Sequence, residues 1–377
     1  MKPIERAVGP VLAETVAGAP VHVVGGVGGA TPAHVLGRAL RVFGHIALLV
    51  LGVLVVLGLS PVLVALRVVA RWLPGPVRGV ARLALLFAAY LLTCEVSAVV
   101  GGLRFHLARR RGALGPSECP GMGVALARKS TSLFFGAGLR AVGMPMDCPE
   151  PPRLDPARPV VVLLRHAGLL NMQLAVHVAM KALGRSPHGV CKSAAVCLPG
   201  AAALVDMVPV IPMRWNAEGR AAAGREFAAM GSRLGAGDAA LILPEGTNFS
   251  MRRRRARIAS LRRSGRHDLA AAAETMPHVM APFARGAAVL LANSPGAHVV
   301  VVAHTGLEDV LPWRLGRGYP SRGDASVHVS WQSFEAGEVP RDPDGFETWL
   351  YERWGELDAW VRTTRTGPDE RAAPAPG

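Results

Sequence analysis

The chain has 377 residues, 50% of them hydrophobic, a mean hydropathy of +0.30 and a formal charge of +15 that is almost wholly arginine, since Lys2, Lys129, Lys181 and Lys192 are the only lysines. That is room for one large or two modest domains, with more apolar surface than a soluble protein needs, so part of it is expected to face lipid. The charge suits an anionic partner, nucleic acid or a phospholipid surface, and Cys94, Cys119, Cys148, Cys191 and Cys197 show neither a CxxC pair nor a finger spacing, which argues against a structural zinc or disulfide and for a reducing compartment.

Residues 1–37, rich in Gly, Ala and Val, carry Glu5 and Glu14 where a secretory signal would carry only positive charge, and are expected to be a flexible leader. From Ile46 to Leu66 no charged residue occurs, and at 1.5 Å per residue the stretch matches the ~30 Å of a bilayer core. After a Pro-Gly-Pro turn at Pro74–Pro76 comes a second apolar segment, Leu83–Cys94, too short to cross before Glu95. Residues 38–111 are therefore expected to form membrane-anchoring helices, a hairpin with one member crossing and the other re-entrant or interfacial. Arginines on both sides leave its orientation open.

Beyond the basic run Arg109–Arg111 and a linker, a helix is expected around Gly123–Leu139, and prolines then punctuate the approach to Pro159–Leu164. That β-branched and leucine run reads as a buried strand of a parallel sheet, ending at Arg165-His166-Ala167-Gly168 and followed by a helix over Met172–Leu183. Strands are predicted at His188–Cys191, Met207–Met213, Ala239–Leu243 and His298–His304, and helices at Ala221–Leu234, Arg252–Arg263 and Ala281–Ala292. A last helix, capped by Asp344, carries Phe346, Trp349, Leu350, Trp354, Leu357 and Val361 as a core stripe, and residues 363–377 are expected to be a disordered tail. The order implies an α/β fold over 120–362: a mostly parallel sheet covered by helices, preceded by the N-terminal membrane-associated hairpin.

Three segments carry chemistry. His166 stands at a strand's carboxyl end, where open α/β sheets build their crevices, with Asn171 five positions on and able to reach back to the imidazole. Leu243–Phe249, LPEGTNF, ends a second strand and leads into Arg252–Arg255 and Arg257, and VPVIPMR delivers a single arginine, Arg214. Glu245 and Asn248 also have plain roles available, as a turn cap and a left-handed turn residue, and the arginine run as a solvated helix face. His177 and His304 are expected to be packing or loop residues. Nucleic-acid binding through the arginines lacks interleaved aromatics or a reader motif.

In these segments the sequence resembles the glycerolipid acyltransferases, specifically the 1-acylglycerol-3-phosphate (lysophosphatidate) acyltransferase family, over roughly residues 120–330. RHAGLLN is similar to the family's His-x4-Asp motif with Asn171 in place of the aspartate, VPVIPMR to its second motif, Pro244–Thr247 to its Pro-Glu-Gly-Thr motif, and Val299–Ala303 to its fourth, a hydrophobic strand. The resemblance implies transfer of an acyl group from acyl-CoA or acyl carrier protein to a lysophospholipid, in phospholipid biosynthesis at the cytoplasmic face of the inner membrane, without metal, nucleic-acid partner or bound cofactor. It implies His166 as general base, Asn171 as its companion, Arg214 on the acceptor phosphate, and Arg165, Glu245, Gly246, Thr247 and Arg252 at the substrate. Asn171 raises an alternative, a catalytically degenerate lipid-binding member of the same fold; if turnover exists, aspartate at this position is expected to raise it.

Overall fold

The computed structural model describes residues 47, 50–69, 72, 75–112, 119–168, 170–192, 210–213, 217–310 and 326–370. The leader, Cys197, Arg214, the first half of the Met207–Met213 segment and residues 371–377 lie outside them.

The first apolar stretch is helical from residue 50 on with one interruption. Residues 50–58 are helical, Leu59 is a turn, and α1 runs Ser60–Val69. Pro61 has no N–H to offer the carbonyl of Leu57, and the Ser60 hydroxyl donates to it instead at 2.6 Å. The second stretch is longer than its charge pattern suggests: α2 (Gly75–Tyr90) passes through a π turn, Leu91–Glu95, into α3 (Val96–Arg110). Glu95 does not end the helix because it is buried and accepts a hydrogen bond from the Tyr90 hydroxyl at 2.7 Å. Within this run Val80–Arg104, 25 residues with an 18-residue window of mean hydropathy 2.1, is long and apolar enough to cross a membrane, and 39% of that window is buried inside the protein. Its buried side joins the core that follows, since Leu85, Leu86 and Cys94 cluster with Phe134, Leu164, Leu174 and Val302. Val77, Val80, Phe87, Leu92, Val100, Leu103 and Leu107 stay exposed, as do Val62, Val64 and Val68 of α1.

Then come α4 (Cys119–Leu133), a short β1 (Met146–Asp147), β2 (Val160–Leu164), α5 (Asn171–His177), β3 (Ser186–Lys192), β4 (Val210–Met213), α6 (Ala217–Arg233) and β5 (Asp238–Ile242). The chain continues through α7 (Met251–Arg263), α8 (His267–Glu274), α9 (Ala284–Ala292), β6 (His298–Thr305), β7 (Val327–Phe334) and α10 (Pro343–Glu370). The strands form a seven-stranded sheet in the order β1-β7-β6-β2-β5-β3-β4. β6, β2, β5, β3 and β4 run parallel, while β7 pairs antiparallel with β6 and parallel with β1.

Alternate residues of the central strands feed two cores. Val161, Leu163, Ala240 and Val301 face α7 to α10, packing with Ile258, Leu269, Leu290 and Trp354. Val160, Val162, Leu164, Leu241 and Val300 pack with Leu85 and Leu86 of α2, Phe134 and Phe135 just after α4, and Leu174 and Ala175 of α5. Helices on both faces are why β2 reads as an unbroken apolar run rather than an alternating one.

The last helix starts and stops elsewhere than its pattern indicates. Asp342, not Asp344, is the cap: its carboxylate accepts from the Gly345 N–H at 2.7 Å, with Pro343 as the first helical residue. The helix then runs on to Glu370, through most of the expected tail. Trp354 on its core face is fully buried. Trp354→Ala is expected to cost about 3–5 kcal/mol by loss of burial and creation of a cavity, measured by chemical denaturation; a loss below about 1 kcal/mol would show that α10 is not anchored there.

Candidate functional site

β2 lies between β5 and β6, with Leu163 opposite Ile242 and Leu164 opposite Val302. Two parallel neighbours end side by side, so the turn after β2 and the loop after β5 meet at the sheet's carboxyl edge. Gly168 makes that turn possible. It has φ +113°, and a Cβ there would come within 2.8 Å of the Leu307 backbone.

The two segments are tied through their backbones. The Phe249 N–H donates to the His166 carbonyl at 2.9 Å, and the Glu245 carboxylate accepts from the His166 N–H at 3.2 Å and from the Met280 N–H at 3.3 Å. Glu245 has no exposed surface. Burial pushes its carboxyl up to about 7, against the opposing pull of Arg165 and the two amides. Gly246, at φ +68°, turns the chain beneath the Phe283 ring, and the Arg257 guanidinium sits 3.8 Å above that ring's centroid.

The imidazole sits between two amides. His166 Nδ1 is 2.8 Å from Asn248 Oδ1 and 3.0 Å from Asn171 Nδ2. Backbone groups decide who donates. The Ala167 N–H donates to Asn171 Oδ1 at 3.1 Å, so the other amide atom is nitrogen, and it donates to the Gly168 carbonyl at 2.5 Å. Its second hydrogen goes to Asn248 Oδ1 at 2.7 Å, which leaves none for the ring. The Nδ1 atom, facing an oxygen at 2.8 Å, must therefore carry the proton and donate it. That tautomer leaves the lone pair on Nε2, so the half-buried ring can accept a proton there.

Of the residues singled out in the sequence, His166, Asn171 and Glu245 come together, with Gly246 and Thr247 in the same loop. Arg165 and Glu245 turn into the protein rather than toward a groove. Arg165 is 2% exposed and donates to the Glu308 carboxylate at 2.8 Å, the His304 carbonyl at 2.5 Å and the His278 carbonyl at 3.0 Å. Burial alone would raise the Glu308 carboxyl, but Arg165, His304 and Arg365 hold it below the usual carboxylate range. His304 is buried beside them, its Nε2 3.0 Å from the Arg165 carbonyl, and burial with the neighbouring Arg165 charge lowers it to about 4. His177 is buried against Phe135. Arg252 is exposed on α7 and takes part in none of the hydrogen bonds just described; Arg253, its neighbour, donates to the Asn248 carbonyl at 3.1 Å. Asn248, which its sequence context marks only as a turn residue, is a further participant. Its place three positions after Glu245 was the available signal.

No protein-family model matches the chain, and no curated protein matches it. Among solved structures, the 1-acyl-sn-glycerophosphate (LPA) acyltransferase PlsC from Thermotoga maritima is similar with a TM-score of 0.49 and 12% identity, over 77% of this chain and 98% of that one. A likeness of that strength is too weak to carry a function across.

Glu245→Gln tests the tie between the loops. The amide nitrogen would face one of two backbone N–H groups, at a cost of about 1–3 kcal/mol. The carboxyl's folded value of about 7 lies above its ordinary 4.5, so the stability it contributes is present in full below about 4.5 and is lost as the pH rises through about 7. The stability gap between wild type and Glu245→Gln, followed by chemical denaturation, is therefore expected to be largest near pH 4.5 and to shrink by pH 8. A gap that stays constant or widens would contradict this.

Proposed function

We propose that the chain is a membrane-associated acyltransferase, moving a fatty acyl group from an acyl thioester to the free hydroxyl of a lysophospholipid. The acceptor in this reading is 1-acylglycerol-3-phosphate and the product phosphatidic acid, with acyl-CoA or acyl carrier protein as co-substrate. The observation that carries it is the meeting of Arg165–Asn171 with Pro244–Asn248: His166 and Asn248, 82 residues apart, are hydrogen-bonded at the ends of adjacent parallel strands. Two of the four motif-like segments thus form one chemical group around an imidazole whose Nε2 holds the lone pair.

In this mechanism Nε2 removes the proton of the acceptor hydroxyl as its oxygen attacks the thioester carbonyl carbon. The tetrahedral intermediate collapses, the C–S bond breaks, and the departing thiolate takes the proton from the imidazolium. No covalent enzyme intermediate forms, and base catalysis of this kind contributes ~10²–10⁴-fold. Arg214, next in the sequence after Met213, is assigned to the acceptor phosphate, for which a planar guanidinium suits two oxygens at once. Arg252 and its exposed neighbours on α7 attract anionic lipid. The exposed apolar faces of α1, α2 and α3 are assigned to the inner membrane, with the catalytic part on the cytoplasmic side. A second reading, lipid binding without turnover, is favoured by one observation: the two groups next to Nδ1 are neutral amides, which orient an imidazolium without offsetting its charge.

Membranes carrying wild type or His166→Ala, incubated with labelled acyl-CoA and lysophosphatidate, separate these readings. Wild type is expected to form phosphatidic acid and His166→Ala to lose at least 100-fold in rate. Turnover that survives in the variant overturns the base assignment. Lysolipid binding without any wild-type turnover establishes the second reading.

A further inference from the structure

We propose that Asn248, rather than Asn171, is the positioning residue of the His166 imidazole, and that position 248 is the seat a carboxylate would occupy in this site. For its effect on turnover the inference rests on the acyl-transfer reading; for the state of the ring it does not. Asn248 Oδ1 takes the Nδ1 proton of His166 and also one amide hydrogen of Asn171. Both bonds survive if that oxygen belongs to an aspartate, and the ring then gains a negative partner at 2.8 Å. Arg253 holds the backbone of this residue from α7, so the side chain starts from a fixed point.

Position 171 has the opposite requirement. Asn171 is buried, and its Nδ2 donates to the Gly168 carbonyl at 2.5 Å and to Asn248 Oδ1 at 2.7 Å. A carboxylate oxygen in its place would meet the ring Nδ1–H at 3.0 Å but also two acceptors, and taking up a proton, which lets it donate to one of them, leaves it without the charge that would raise the ring. The expectation from the motif spacing alone, that aspartate at 171 would strengthen the base, is therefore reversed. The two asparagines are a matched pair in which 171 donates and 248 accepts.

Other charges bear on the ring as well. Glu245 holds the His166 backbone from the loop after β5, Arg165 precedes it in the turn after β2, buried His304 faces it from β6, and Arg253 approaches through Asn248 from α7. Glu245 titrates near neutrality itself, so a pH–rate curve would mix two groups and the imidazole has to be followed directly.

The full chain, labelled with 15N-histidine and held in detergent micelles, provides that readout by NMR, the His166 signals being assigned by their loss in His166→Gln. Wild type is expected to carry the neutral ring's proton on Nδ1. Asn248→Asp is expected to keep that tautomer and raise the imidazole pKa by about one to three units, whereas Asn171→Asp is expected to lose the single tautomer without such a rise. Asn248→Ala, which removes the acceptor and adds no charge, should release the ring to a mixture of tautomers while circular dichroism stays native. A proton on Nε2 in wild type, a pure Nδ1–H tautomer in Asn248→Ala, or a pKa rise in Asn171→Asp and not in Asn248→Asp would each overturn the proposal. In the acyl-transfer assay Asn248→Asp is expected to be at least as fast as wild type and Asn171→Asp slower. If the NMR results hold and no variant or wild type turns over, the positioning role stands and the acyl-transfer reading falls.

Discussion

The parallel pairing of β2 with β5 is the constraint on which the rest of the site depends. In that register Val160 faces Ala239 and Leu163 faces Ile242, so both strands run out at the same edge. Five consecutive buried residues on β2 fix it, since a slip by one position would exchange the residues assigned to the two cores. Once the strand ends are side by side, Glu245 joins two backbone amides, Phe249 reaches the His166 carbonyl, and the two asparagines come within hydrogen-bonding distance of one ring. Each bond is modest alone, about 0.5–1.5 kcal/mol net, but removing a buried partner leaves another polar group unmet.

Beneath this neutral cluster lies a charged one. Arg165, Glu308 and Arg365 meet around one carboxylate oxygen, with Thr305 donating to the same atom at 3.0 Å. A buried ion pair adds little to stability compared with good apolar packing, yet breaking one by removing a partner typically costs ~3–5 kcal/mol. Here the Arg165 guanidinium also satisfies the carbonyls of His278 and His304. It joins β2, β6 and the loop before α9 beneath the turn that carries His166.

The central strands were legible in the sequence for a physical reason. β2 and β6 are buried on both sides and appear as continuous apolar runs, and β5 follows the same rule. The basic helix and the aromatic stripe of the last helix were legible from period and punctuation. Strand order was not, because it depends on which apolar faces pack together and leaves no mark in any one segment; the antiparallel β7 and the short α8 went unassigned with it. Glu95 looked like the end of an apolar segment, and only its contact with Tyr90 explains how the helix continues. Arg165 and Glu245 stand beside motif residues, which in sequence alone suggests substrate contacts, but the fold turns both inward, where they meet backbone groups. Asn171 was legible as a neighbour of His166. That Asn248 receives the ring's proton depends on two loops meeting in space, which neither loop's sequence contains.

Carbethoxylation of His166 by diethyl pyrocarbonate, with the modified residue identified by mass spectrometry, tests most directly whether this imidazole is the base at an acyl-transfer centre. The reagent attacks an unprotonated ring nitrogen, here Nε2. A base at the acceptor hydroxyl is expected to react in the free protein and to be protected progressively as lysophosphatidate is added, with loss of transfer activity in step with modification. Modification of His166 that proceeds at the same rate with and without lysophosphatidate, or that leaves transfer activity intact, would contradict it.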